Sequence, residues 1–322
     1  MAPLLPLVIW CVTASIISMN LDAAESRSYP SKPVRIVTSE VGGSADVAAR
    51  MLAQGISPPL GQSMVVDNRP GGPIPGDIVS KARPDGYTLL FFGGTFWLQP
   101  LLRKHVSYDP LKDFSPITLV LIQPNVLVVH PSVPVHTVKE LIALAKARPG
   151  ALNYAVGSVG ASHHLGTELF KTMAGLDIVG IGYRGTGPAI IGLITGQVQI
   201  MFPPASAVVP HVQSGKVRIL AVASSQPTPV VPNVPTVAAS GLPGFESVST
   251  LALFAPAQTP ANIVDRLNRE SVRFLNTPEV RERFVNLGAE VVGSSPAELT
   301  AKVRSEISRV ARLIKDAGIR VE

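Results

Sequence analysis

The sequence predicts an α/β fold of two lobes, each a parallel-rich sheet flanked by helices, with a hinge between them. Three observations carry the prediction. Past residue 30, short β-branched runs alternate with amphipathic helical patterns, which favours parallel sheets. That alternation falls into two blocks, 29–122 and 123–227. The second block is followed by a stretch with four prolines, SSQPTPVVPNVP (224–235), and then by a mostly helical tail. Proline fixes φ and removes a backbone donor, so this stretch reads as a semi-rigid connection. A tail that returns to cap the first block divides the chain into lobe 1, residues 29–122 with 228–322, and lobe 2, residues 123–227. Two crossings between two lobes is a hinge geometry.

The elements follow in order. VRIVTS (34–39) is a strand, and the helix after it carries Val47, Ala48, Met51 and Leu52 on one face. SMVVDN (63–68) is a strand, then come a glycine turn, a short helix near 76–82 and the strand YTLLFF (87–92). The second block opens with the strand NVLVVH (125–130). The helix near 137–147 places Val138, Leu141, Ile142 and Ala145 at i, i+3, i+4 and i+7. LNYAV (152–156) is a strand and 162–174 a helix. IVGIGY (178–183) and VQIMF (198–202) are strands flanking a helix at 187–195, and VRILAVAS (217–224) closes the set. The tail has helices near 260–276 and 278–287, the strand AEVVG (289–293), and a long helix from Ser295. Leu299, Val303, Ile307, Val310 and Ile314 form the buried stripe of that helix.

The amino-terminal segment differs from the rest. APLLPLVIWCVTASIIS (2–18) is apolar and uncharged, short for a membrane span and interrupted by proline. It fits the hydrophobic region of a secretory signal, and LDAA (21–24) offers small residues for cleavage after Ala23 or Ala24. Residues 1–24 are therefore expected to be a signal peptide, and the mature chain to work in the periplasm. Cys11, the sole cysteine, lies inside this segment. Trp10 before it does not suit lipid attachment, and the mature chain would have no thiol chemistry.

Composition narrows the function. Hydrophobic residues make up 46% and charged residues 16%, enough for an ordered core. The formal net charge is +6, but Lys and Arg are scattered. There is no basic run, RNA-binding signature or zinc-ligand spacing, so nucleic acid is not an expected partner and no metal or cofactor is expected.

In open parallel sheets, ligands bind beyond the carboxyl ends of the strands. That rule selects five loops: 39–46, 93–97 (GGTFW), 157–164 (GSVGASHH), 183–188 (YRGTGP) and 203–206 (PPAS). The first and third each combine glycine, serine and a helix start. Such a terminus supplies unpaired N–H donors and partial positive charge, and so suits a carboxylate. The same residues also make ordinary helix caps.

Catalytic signals are few. His163 and His164 are adjacent, so on a helix they point about 100° apart and do not chelate one metal. One reads as a capping or cleft residue and the other as exposed. No G-x-S-x-G elbow or Walker loop occurs, and GTGPAIIG (185–192) is only a loose dinucleotide-loop mimic. Glu40 and Asp46 could form a carboxylate pair, but Asp46 reads more readily as a buttress of its own helix. An enzyme in this cleft would have to use Ser158 or Ser162 with His164, with no orienting acid evident.

At these loops the sequence resembles the Bug family, the TctC-like solute receptors of tripartite tricarboxylate transporters. The resemblance runs from about residue 29 to 322. Among its carriers are YPSKPVRIV, GGSADVAARMLA, LGQSMVVDNRPGG, RPDGYTLL, YDPLKDFSPIT, HLGTELFKTMAG, YRGTGPAI, PNVPTVAASGLPGFE and APAQTPANIVDRLN, in the family's order. It implies a two-lobed periplasmic binding protein of the second structural type, which closes on small solutes, mostly carboxylates. It also implies backbone amides and bridging waters from the loops at 39–46 and 157–164 as the carboxylate's partners. Gly43, Ser44 and Asp46 match the first loop, Ser158, Gly160 and His164 the second, Tyr183 and Gly185 the third. With the strand-end rule, the expected ligand-binding set is Ser39, Glu40, Gly43, Ser44, Asp46, Thr95, Ser158, Gly160, Ala161, His164, Tyr183, Gly185 and Pro203.

Several positions depart from the family's pattern. TSEVGG (38–43) stands where PFPPGG is usual, so Glu40 replaces part of an apolar wall. Ala161 stands where Ser or Thr is common, Pro203 where Asp is frequent, and Thr250 at a usual Trp position. The loop NRPGGPIPG is shorter than the usual form. If Glu40 faces the ligand, that ligand should carry an ammonium, an N–H or several hydroxyls, because a like charge repels most where water is excluded. If it faces solvent, it is neutral decoration. The resemblance implies a non-enzymatic, monomeric receptor that captures a small organic solute and hands it to transporter subunits in the membrane. Presentation of the ligand to a sensor kinase is the alternative.

Overall fold

The computed structural model describes residues 29–318 apart from Glu40, Ser158 and Val159. The expected signal segment lies outside the described residues. The first sheet holds β1 (Val34–Thr38), β2 (Met64–Asn68), β3 (Thr88–Gly93), β4 (Phe114–Pro124), β10 (Val248–Pro256) and β11 (Glu290–Val291), in the order β11-β4-β10-β3-β1-β2. The second holds β5 (Val126–Val129), β6 (Asn153–Val156), β7 (Val179–Gly182), β8 (Ile200–Met201) and β9 (Arg218–Val222), in the order β7-β6-β8-β5-β9.

Both sheets are mixed. β1 pairs parallel with β2 and β3, and β6 parallel with β7 and β8, as the β–α alternation predicts. The strands that carry the chain between sheets, or lie beside those strands, pair antiparallel: β10 with β3 and β4, β5 with β8 and β9. Neither β4 nor β10 is legible as a strand beforehand. β10 is buried at nearly every position, so its pattern is a continuous apolar run without alternation.

Helices cover both faces. α1 (Ser44–Leu60) follows β1, α2 (Ile74–Ser80) precedes β3, and α3 (Thr95–Leu102) follows β3. The second sheet carries α4 (Val138–Ala147), α5 (Ser162–Ala174), α6 (Thr186–Ile194) and α7 (Ala205–Gln213). α3 and α7 begin within the expected loops 93–97 and 203–206 and have no helix expected for them; each has a proline inside it, Pro100 and Pro210. In the tail are α8 (Ala261–Leu275), α9 (Pro278–Asn286) and α10 (Pro296–Ala317). α10 starts with a capping box between Ser295 and Glu298.

The chain passes between the sheets at two adjacent points. β4 runs into β5 through Asn125, and the return enters β10 after Ser247. The Asn125 N–H reaches the Ser247 carbonyl at 3.4 Å, and the Asn125 carbonyl accepts from Ala223 N–H at 2.8 Å. Residues 228–247, expected in lobe 1, pack on the second sheet. Val237 N–H donates to the Val222 carbonyl at 2.9 Å, and Phe245 packs against Phe170 and Phe202. The prolines of 224–235 thus sit on one body, and the crossing comes later.

One contact outside the crossings also ties the bodies together. α10 buries Leu299, Val303, Val310 and Leu313 in a cluster that includes Leu165 of α5. The aromatic part of the same cluster is Phe96, Trp97, Tyr108, Phe114 and Phe254. α10 thereby packs on both the first sheet and a helix of the second.

Candidate functional site: a cavity between the sheets

A cavity of about 450 Å³ lies between the two bodies. From the first come Ser39, Ser44, Ala45, the run Phe92–Thr95 and Thr250; from the second come Gly160–His163, Thr186 and Pro204. α10 contributes Glu306 and Arg309, and the crossings contribute Gln123 and Glu246–Ser249. The size suits a small organic molecule.

Five helices begin at or beside this cavity, and the residues before them share a property. α1, α3, α5, α6 and α7 are preceded by Gly43, Gly94, Ala161, Gly185 and Pro204, none of which caps with a side chain. Of the helices that start elsewhere, α4 and α10 are capped by Thr137 and Ser295, while α2, α8 and α9 also lack a side-chain cap. An uncapped helix start keeps its N–H donors and its positive end of the dipole for an acceptor from outside.

The first loop is held from behind by Asp46, which is buried. Its carboxylate accepts from Gly42 N–H and Asn68 Nδ2, both at 2.9 Å, and pairs with Arg50 Nε at 2.8 Å. Asn68 Nδ2 also reaches the Ser39 carbonyl at 2.7 Å. Burial opposes ionisation of Asp46, but these donors outweigh it and hold the carboxyl below the usual range. Asp46 is absent from the cavity wall, so it shapes the loop and does not face the cavity.

The second loop buries both histidines, where one was expected to be exposed, and His163 takes the place on the wall expected of His164. His164 Nδ1 faces back one turn and accepts from Gly160 N–H at 3.1 Å, which braces the loop. His163 lines the cavity. α5 begins at Ser162, and one residue of helix turns a side chain by about 100°, so that start fixes which ring enters the cleft. Burial pushes the His163 imidazole down to about 4, with His164 adding to the effect, so the ring is neutral at neutral pH. Burial also lowers His164, partly offset by Glu168.

Gly160 is needed twice over. Its φ is +77°, and a Cβ there would come within 2.7 Å of Leu102 on α3, across the gap between the bodies. Ser162 Oγ bonds Ser249 Oγ at 2.7 Å, and the Ser247 hydroxyl donates to the Ser162 carbonyl at 3.0 Å. Ser162 and His164 therefore each have another partner, and the nucleophile–base pair considered from sequence is not assembled from them.

Of the expected set, Ser39, Ser44, Thr95, Gly160 and Ala161 come together on the cavity wall. Glu40 and Ser158 lie outside the described residues. Gly43, Asp46, His164, Tyr183, Gly185 and Pro203 stand behind or beside the wall, and neighbours take their places in three cases: His163, Thr186 and Pro204. Tyr183 directs its hydroxyl to Gln197 Oε1 at 3.4 Å.

The wall formed by α10 was not anticipated. Glu306 is 8% exposed, and burial raises its carboxyl pKa despite Lys302, Arg309 and the Trp97 indole. The Trp97 indole N–H favours the ionised form as a donor toward the carboxyl, yet neither it nor any other group completes a well-formed hydrogen bond to Glu306 Oε2. Thr250 Oγ1 and His163 Nε2 are likewise buried without a partner in the protein. An unsatisfied buried polar atom costs about 1–3 kcal/mol. Three of them around one cavity mark a place where another molecule would satisfy them.

Residues 48–319 match the family described as the tripartite tricarboxylate transporter family receptor, TctC. BugT of Bordetella pertussis is 37% identical over 303 residues, which cover 92% of this chain and 92% of BugT. Among solved structures, R. palustris Rpa4515 with adipate shares 36% identity and a TM-score of 0.76, covering 90% of this chain and 99% of that one. MatC from Rhodopseudomonas palustris with bound malate shares 33% identity and a TM-score of 0.72, covering 89% and 100%. The periplasmic binding protein BugD shares 34% identity and a TM-score of 0.72, covering 91% and 99%. The two mixed sheets flanked by helices share the fold of these two-lobed proteins, and the chain belongs to the TctC family of tripartite tricarboxylate transporter receptors.

Proposed function

We propose that this protein is a periplasmic solute receptor that captures a small organic carboxylate between its lobes and delivers it to a tripartite tricarboxylate-type transporter. The observation that carries the reading is the cavity bounded by the uncapped starts of α1, α3 and α5, drawn from both bodies. Those termini provide N–H donors and positive potential from two sides, so a carboxylate bound there stabilises the approach of the lobes. Capture is coupled to hinge closure about Asn125 and Ser247. Bound adipate and malate in the two related structures support a carboxylate as ligand. The family supports the transporter as partner.

Calorimetry of the purified protein with linear and hydroxylated carboxylic acids tests the reading. One-to-one binding of an acid, recovered chemically unchanged, is expected. Binding of none of them, or conversion of the acid on standing, would overturn it.

A further inference from the structure

We propose that the cavity wall formed by Glu306, Thr250 and His163 is the selectivity subsite of this receptor, selecting a hydrogen-bond donor at the solute's far end over a second carboxylate. The inference rests on the receptor reading above. The donor is a hydroxyl, an amide N–H or an ammonium group.

Three side chains from three elements converge there: Glu306 from α10, Thr250 from β10 and His163 from α5. They are 8%, 1% and 5% exposed, and Glu306 Oε2, Thr250 Oγ1 and His163 Nε2 each lack a partner in the protein. Gly94 ties two of them to one spot. A Cβ on it would lie 2.8 Å from Thr250 Oγ1 and 3.5 Å from Glu306 Oε1. Glycine at that position leaves room beside both oxygens that a side chain would take.

The nearby cations are already engaged with Glu246, itself on the cavity wall. Lys302 Nζ pairs with Glu246 Oε2 at 3.0 Å, and Arg309 Nη1 donates to the Glu246 carbonyl at 2.7 Å. The imidazole is neutral and adds no positive charge. A second carboxylate at this wall would meet the buried Glu306 carboxyl, whose charge burial already disfavours, and two like charges side by side there repel strongly. A hydroxyl or N–H would instead satisfy Glu306 Oε2, and the Thr250 hydroxyl can donate or accept as the group requires. The carboxylate end then lies toward the uncapped helix starts of α1 and α5.

Isothermal titration at pH 7.5 with ω-hydroxy, ω-amino and plain α,ω-diacids of four to eight carbons tests this. Each is measured on the native protein, on Glu306→Gln and on Thr250→Val. At matched chain length the native protein should bind the hydroxy or amino acid at least about tenfold more tightly than the diacid, the ratio expected of one net hydrogen bond to a charged group. Glu306→Gln should collapse that ratio, and Thr250→Val should reduce it with the fold intact. Tighter binding of the diacids by the native protein would overturn the proposal. So would a ratio unchanged in both variants, or a uniform loss for every acid, which a structural role alone would give. Failure of all the acids to bind would overturn the receptor reading and this inference with it.

Discussion

The Asn125 side-chain amide donates to Ser247 Oγ at 3.0 Å, joining the two stretches of chain that pass between the sheets. Ser247 Oγ in turn donates to the Ser162 carbonyl, at the first residue of α5. The crossings and the cavity loop are thus one hydrogen-bonded unit. Ser247→Ala should leave the buried Asn125 amide unsatisfied and cost about 1–3 kcal/mol. Urea denaturation would show it as a lower midpoint at an unchanged slope.

Gly166 lies under the same serine, where an added Cβ would come within 2.7 Å of Ser247 Cβ. Gly166→Ala should therefore destabilise by more than an ordinary surface change. Gly166→Ala with Ser247→Gly should recover part of the loss. The coupling of the two changes in a double-mutant cycle is the readout, and additive effects would contradict the packing.

At Gly160 the expected effect is on binding. A left-handed φ costs an L-residue about 1–2 kcal/mol, and the new Cβ meets Leu102. Gly160→Ala should weaken solute affinity by about tenfold or more. Leu102→Ala in the same chain should restore part of it, since the contact is with a side-chain end.

Asp46→Asn removes the charge that holds Gly42, Asn68 and Arg50 together. The loop at 39–45 should loosen, lowering affinity for every solute by a similar factor. Uniform loss separates Asp46 from Glu306, whose substitution should change the order of preference. Titration against the same acids distinguishes the two.

Acid should weaken the fold before the depressed aspartates titrate. His163 is held near 4, below the ordinary histidine value of about 6.5, because burial disfavours the charged ring. Unfolding releases it to take up a proton. Its contribution to stability is complete above about pH 6.5 and is lost as pH falls toward 4, amounting to about 3 kcal/mol at the limit. The depressed carboxyls of Asp46, Asp67, Asp77 and Asp109 act at lower pH. Melting temperatures from pH 7 to 4 should therefore fall for the native chain and fall less for His163→Gln.

Much of this arrangement is legible in the residues. Alternating strands and the stripe of α10 follow from periodicity, and the glycine loops at strand ends mark the cavity's rim. What escaped has physical causes. β10 is buried on both faces, so it shows an apolar run without alternation, and β4 is interrupted by Pro116. His163 and His164 could not be assigned until the start of α5 fixed the helical phase. Glu306 sits among charges in VRSEISRVARLIKD, which read as a solvated helix face. Only the docking of α10 across both bodies makes it an interior residue.

The placement of Trp97 gives the protein an optical property. The sequence contains two tryptophans, and Trp10 lies outside the described residues. Trp97 is fully buried, with its indole close enough to Glu306 to bias that carboxyl. Emission from this ring therefore originates against the cavity wall. Occupancy of the cavity alters the polarity and hydrogen bonding beside it, so the folded body carries its own fluorophore for solute arrival, and stopped-flow mixing can follow capture without an attached dye.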